Sequence, residues 1–206
     1  MAAARWPLRT IKRAYHVGTL NRSDKRRGSQ EGAGLSISQH PDAWRQIARG
    51  HVHGDDWIVR SAVGGKFLDI HKLSDAQHAI IRAWAIENGL ATPARLFEVS
   101  YYDDELEDDL KFTVTSRDAA EAEAEEVDGA ITEIDGLLAT AALKTCSHGP
   151  CEPAMVQDMI ATAFADQALD LDGCWWSDTL DPIRLSAPRG VIFERRLGAW
   201  DLQKRG

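Results

Sequence analysis

Apolar residues recur along this chain first at every second position, then at every third or fourth, and finally in short unbroken runs. Arg13 to Leu20 (RAYHVGTL) reads as a short strand ending in a glycine turn. Gly32 to Ser38 (GAGLSIS) reads as a second, with Leu35 and Ile37 alternating against Ser36 and Ser38. Pro41 stands where a helix begins, and Ala43, Trp44, Ile47 and Ala48 make its apolar stripe. Trp57–Val63 and Lys66–Ile70 predict two more strands, broken apart at Gly64-Gly65. Ser74 is a good N-cap for a helix whose apolar face is Ala76, Ile80, Ala83, Trp84 and Ile86 and which Gly89 ends.

Arg95 to Tyr102 is a strand by its aromatic and β-branched content, and Lys111 to Thr115 is its hairpin partner across the acidic loop Asp103 to Asp109. Helices are expected over Asp118–Glu126, Ile131–Leu143 and Pro153–Leu169, the last with Met155, Met159, Ile160, Ala163 and Phe164 on one side. Val191-Ile192-Phe193 is a buried strand, and Leu197 and Trp200 close the core. Strands early, helices in the middle and strands late predict an α+β fold, a single domain over residues 1–206 with a mostly helical, acidic insertion over residues 116–170.

Composition bounds this picture without changing it. A chain of 206 residues, 44% hydrophobic and 27% charged, can bury a core without disulfides or metal. A net charge of −8 argues against a protein that simply coats nucleic acid. No apolar run approaches the roughly 20 residues of a membrane-spanning helix. The mean, however, conceals a division. Residues 1–60 hold eleven Lys and Arg against five Asp and Glu, whereas residues 98–135 hold fifteen Asp and Glu against Lys111 and Arg117.

Three cysteines, Cys146, Cys151 and Cys174, are too few for a disulfide framework, and a reducing, cytoplasmic setting is expected. Cys146, His148 and Cys151 lie within six residues, but a closed zinc site needs four ligands, so no metal site is expected. The basic N-terminus lacks the apolar core of a secretory signal. No Walker A sequence, strand-borne GxGxxG or G-x-S-x-G elbow is present.

Tyr15-His16-Val17-Gly18-Thr19 puts an aromatic ring and an imidazole at a strand end, followed by a glycine turn and a hydroxyl. Such a turn lets backbone approach a flat ligand while the imidazole meets a ribose hydroxyl. With the GLSIS strand that runs into a helix, these residues resemble the ADP-ribosyltransferase superfamily, whose first core strand reads aromatic-His-Gly-Thr or aromatic-His-x-Thr. In that superfamily a Gly-Leu-x-x-Ser strand entering a helix often follows. The resemblance covers about 30 residues and, more loosely, one late strand. Val17 departs from it by preceding the glycine, as does Ser at the place where one branch has a stacking Tyr.

The resemblance implies a small, mixed, split β-sheet and cleavage of the nicotinamide–ribose bond of NAD, with ADP-ribose passed to a protein or nucleic acid. It implies that His16 contacts the nicotinamide ribose and that the backbone at Val17 and Gly18 holds the carboxamide. Ser36 and Ser38 would line the nicotinamide pocket, and Tyr15 or Trp44 would supply the aromatic face. Glu194, directly after Val191-Ile192-Phe193, would stabilise the developing cation. The basic loop from Arg22 to Arg27, with Arg22 and Arg26, would meet the pyrophosphate.

The acidic segment supports a rival class. Carboxylates spread over residues 103–126 can imitate the phosphates of a duplex and dock on a basic partner, with no enzymatic activity. The ligand spacing and central glycine of a calcium loop are missing.

Overall fold

The longest pairing in the molecule joins the strand β1 (Leu8–Gly18) to β3 (Asp55–Asp69), antiparallel, from Leu8↔Leu68 to Gly18↔Asp55. The computed structural model describes residues 5–20, 34–48, 54–105, 107–145 and 153–205. Around that pair, β2 (Gly34–Ser38), β8 (Arg189–Phe193) and β7 (Gly173–Trp176) complete the order β1-β2-β8-β7-β3, which returns to β1 as a five-stranded barrel. The edge strand β9 (Asp201–Lys204) extends it beside β3. The β3–β7 pair is parallel and the others antiparallel, so the sheet is mixed and the fold is α/β in composition.

Strands that are covered on both sides need apolar residues in unbroken runs rather than in alternation. Phe67-Leu68, Trp175-Trp176 and Ile192-Phe193 obey this rule. Phe67, Trp175 and Ile192 fill the barrel with Ile11, Ala14 and Val59. Their chain neighbours Leu68, Trp176 and Phe193 face outward onto two helices, α2 (Asp75–Glu87) and α5 (Pro153–Gln167). Each large side chain so buried contributes about 1.5–3 kcal/mol. Cys174 lies in the outer layer, and burial pushes its thiol well above the usual range, which keeps it chemically inert. Cys146, His148 and Cys151 lie outside the described residues.

Helix α1 (Pro41–Ala48) starts at Pro41 as the sequence predicts. Helix α2 begins with a reciprocal capping box, in which Ser74 accepts from the Gln77 amide and Gln77 accepts from the Ser74 amide at 2.8 Å. Its buried face differs from the expected one. Ile81 and Ala85 are buried, with Trp84 against Phe164, while Ile80 and Ile86 are exposed. The tertiary partner α5 takes the stripe one position further on.

Two other expectations are corrected. Gly64-Gly65 does not end a strand, since β3 runs through both. The register moves from Arg13↔Arg60 to Ile11↔Gly65 across a bulge, and a Cβ at Gly65 would lie 2.6 Å from the Trp200 ring. The helix expected at Ile131–Leu143 is instead β6 (Ala130–Ala139), followed by the short helix α4 (Ala141–Thr145). Ile131, Ile134 and Leu138 have helical spacing. The strand is nevertheless fixed by pairing with β4 (Ala91–Asp103) from Ala91↔Ala139 to Ser100↔Ala130 and by Leu96 packing over Gly136. The segment 116–170 is therefore helical over Arg117–Val127, Ala141–Thr145 and Pro153–Gln167 but is interrupted by the ten-residue strand β6.

Strands β4, β6 and the hairpin partner β5 (Asp108–Val114) form a separate antiparallel sheet. The acidic helix α3 (Arg117–Val127) packs Ala120 and Ala124 against its Val99 face.

One close contact tests the barrel's packing. A Cβ at Gly173 would lie 1.9 Å from the Val191 carbonyl oxygen and 2.5 Å from the Phe67 ring. Gly173→Ala is therefore expected to cost about 2–4 kcal/mol in urea denaturation, with no change at the exposed Gly198, where a Cβ meets nothing.

Candidate functional site

The end of β1 is shaped by two glycines. Gly18 (φ +130°) and Gly54 (φ +132°) adopt backbone that side-chain-bearing residues rarely adopt. They also touch backbone to backbone, because a Cβ at Gly54 would lie 2.6 Å from the Gly18 carbonyl carbon. The Trp57 indole N–H donates to the Gly18 carbonyl at 3.1 Å. The turn so made brings the Thr19 carbonyl to 3.2 Å from His16 Nε2, while His16 Nδ1 lies 2.8 Å from the Ser36 carbonyl on β2.

Carbonyl oxygens only accept, so the shorter contact assigns the proton of a neutral imidazole to Nδ1. Nε2 then keeps a lone pair at the β1–β2 seam, and an imidazolium satisfies both carbonyls. His16 is thus a strand-to-strand tie with both ring nitrogens against carbonyl oxygens.

Ser36 is exposed on β2 beside His16, on the solvent side of Leu35 and Ile37. Ser38 is placed differently. It is 4% exposed, donates to the Pro188 carbonyl at 2.7 Å and accepts from the His40 amide at 3.0 Å. Its hydroxyl is committed to the fold, which corrects its expected role in lining a pocket. Trp44 joins the same anchor, donating to the Pro188 carbonyl at 3.4 Å. The half-buried Tyr15 ring has the Arg13 and Arg205 guanidinium groups 5.4 and 5.8 Å from its centroid. Val17 is half-buried opposite Asp56, and Arg22 and Arg26 lie outside the described residues.

Glu194 opens a 3-10 turn, Glu194–Ala199, directly after β8, and is exposed. Its position follows from register. Gly34 pairs with Phe193 and Ser38 with Arg189, so Glu194 leaves at the Gly34 end of β2. Tyr15 pairs with Ser38, antiparallel, so β1 runs from there toward the same end. His16 and Glu194 therefore lie beside the two edges of β2, about 10 Å apart across the sheet and about 13 Å along it, or about 16 Å in all, with Ser36 between. Ser38 is about 13 Å along β2 from the Glu194 end.

The arginines beside Glu194 serve to anchor it. Arg195 pairs with Asp166 and donates to Asp170 at 2.7 Å, and Arg196 reaches Asp170 at 2.7 Å. These two guanidinium groups hold the Asp170 carboxyl below the usual aspartate range.

A second polar group forms where the parallel strands β3 and β7 end, and sequence reasoning missed it. Asp69 is buried, with Oδ2 accepting from Ser177 at 2.8 Å and lying 3.4 Å from Lys72 Nζ, while Oδ1 has no hydrogen-bond partner among the described residues. Asp178 accepts from Arg189 at 2.6 Å and lies 3.5 Å from His71 Nδ1, with Trp176 and Trp44 beside Arg189. No linear spacing signals this group, because it comes together only when β3 and β7 pair. Among the described residues, no three His, Cys, Asp or Glu side chains converge as metal ligands. No protein-family model, curated protein or solved structure matches the chain.

Two outcomes follow. Trp57→Phe leaves the Gly18 carbonyl without its donor and should cost about 1 kcal/mol in urea denaturation, with Gly54→Ala costing more because it adds a backbone clash. An aspartate titrating below its unfolded value stabilises the fold above that value and loses the contribution as pH falls through the lowered one. Asp170→Asn should therefore lower the thermal midpoint near neutrality and converge with wild type in acid, below about pH 4.

Proposed function

We propose that this protein is an ADP-ribosyltransferase that consumes NAD, built on a variant of the split mixed sheet of that superfamily. The observation that carries the reading is the pair His16 and Glu194, on the strands flanking β2 and leading to the same end, with exposed Ser36 between them. The β1–β2 seam, held by the single pair Tyr15↔Ser38, is the place where a split sheet of this type would part.

In this reading His16 Nε2 accepts from a hydroxyl of the nicotinamide ribose, with Nδ1 fixed on the Ser36 carbonyl. The backbone of Val17 and Gly18 meets the carboxamide, Ser36 faces the nicotinamide side, and Tyr15 offers a ring. The bond between the ribose C1′ and the pyridinium nitrogen breaks, and its electron pair stays on nicotinamide. The Glu194 carboxylate stabilises the positive charge that develops on the ribose. A nucleophile of the acceptor then bonds to C1′ and releases its proton.

A second reading has its own observation. Much of the acidic sheet and helix is exposed, with pairs such as Lys111–Glu98 and Arg117–Glu121 neutralising only a few of its carboxylates. Such a face fits a basic protein partner over residues 103–126, without catalysis.

Nicotinamide release from NAD in the presence of cell lysate, followed together with transferred label, separates the two. Wild type should turn over, and His16→Ala and Glu194→Gln should each lose about 100-fold or more. Absence of turnover in wild type, or equal rates in the two variants and wild type, refutes the transferase reading.

A further inference from the structure

Many of the described cations are held by carboxylates. They include those on β5, β9 and the Glu194 turn, as in Lys111–Glu98 at 2.8 Å, Lys204–Asp55 at 2.7 Å and Arg195–Asp170 at 2.7 Å. Lys12, Arg13, Arg60 and Lys66 differ. All four are exposed, and among the described residues none forms an ion pair.

These four belong to one ladder. Arg13 and Arg60 are direct partners across β1 and β3, and Lys66 is opposite Thr10. The bulge between Ile11 and Arg13 lets two successive residues, Lys12 and Arg13, both stand in solvent before Ala14 returns to the core. The Lys12 stem lies against Gly64, where a Cβ would be 3.0 Å from its Cγ. Between Arg60 and Gly64, β3 swells outward, and Val63 is 83% exposed at the crest.

Like charges directly opposite on an antiparallel ladder repel each other. Asp201, opposite Arg60 on β9, offsets part of that repulsion and leaves the remaining positive charge for an anionic partner. One strand spacing and three residues of rise spread the four cations over about 10 Å. That suits an anion with repeated charges better than a single carboxylate. Tyr15, next along β1, adds an aromatic surface.

We propose that the outer face of the β1–β3 ladder binds the phosphodiester backbone of nucleic acid, through Lys12, Arg13, Arg60 and Lys66 and without regard to sequence. As a statement about the acceptor of ADP-ribose it rests on the proposed transfer, whereas as a statement about binding it stands alone. The negative total charge is no obstacle, because phosphate contacts act within a Debye length of the patch.

The test uses the full chain and a fluorescein-labelled duplex of about 20 base pairs, followed by anisotropy without NAD from about 50 to about 200 mM salt. Four phosphate contacts predict a slope of log K against log salt between about −3 and −4, a loss of about 100-fold over that range. Replacing all four cations by Gln should bring the slope near zero, and the pair Arg13→Gln, Arg60→Gln should roughly halve it. The double lysine variant R13K/R60K should bind like wild type.

No binding by wild type at low salt, or an unchanged slope in both Gln variants, overturns the inference. Preference for vesicles of anionic lipid over the duplex overturns it too. Binding with the expected slope by a protein that never consumes NAD upholds the surface and refutes only the transfer reading.

Discussion

A five-stranded sheet that closes on itself must satisfy both edges of one strand, and here that strand is β1. Its pairing with β3 extends from Leu8↔Leu68 to Gly18↔Asp55, but toward β2 it has only Tyr15↔Ser38. The rest of the seam is closed by side chains. His16 bonds the Ser36 carbonyl, and Ser38 ties β2 to Pro188. Helix α1 lies alongside, pinned through the Arg45–Asp56 ion pair. Everything distinctive about the candidate site descends from this shortage of ladder hydrogen bonds. A fully laddered seam would have no need of an imidazole there. His16 consequently has a structural duty, which fixes the orientation of its ring.

The fold was legible in the sequence wherever local rules and tertiary needs agree. Pro41 and Ser74 mark helix starts because their demands are met by the backbone alone. The hairpin β4–β5 was readable from its flanking strands and polar loop. Legibility fails where a partner decides. The spacing of Ile131, Ile134 and Leu138 suits a helix, and only β4, with Leu96 set over Gly136, makes it a strand. The stripe of α2 is settled by α5, which selects Ile81 over Ile80. Strands β7 and β9 are four residues each, too short to show a period.

The site shows the same division. His16 and the Gly18 turn were visible as one contiguous motif, Ser36 lay in the next predicted strand, and the three stay together in space. Glu194 could be named from chain order, yet its anchorage through Asp166 and Asp170 could not, because those residues belong to α5 and the loop after it. Ser38 was misjudged because a strand serine looks the same whether its hydroxyl faces a ligand or a buried carbonyl. Asp69, Ser177 and Asp178 were invisible for a different reason. More than a hundred residues separate the ends of β3 and β7, and their meeting leaves Asp69 Oδ1 buried without a hydrogen-bond partner among the described residues.

The partition of charge between the two sheets has a mechanical consequence. The barrel carries its unpaired cations on β1 and β3, while the three-stranded sheet, α3 and their connections carry fifteen of the 32 carboxylates. Opposite charges centred at different places make the whole molecule an electric dipole. In the field of a polyanion such a body feels a torque before it makes contact, turning its barrel inward and its acidic sheet away. The acidic sheet would then select among collisions, rejecting approaches in the wrong orientation, and this sorting would weaken as salt shortens the reach of the field.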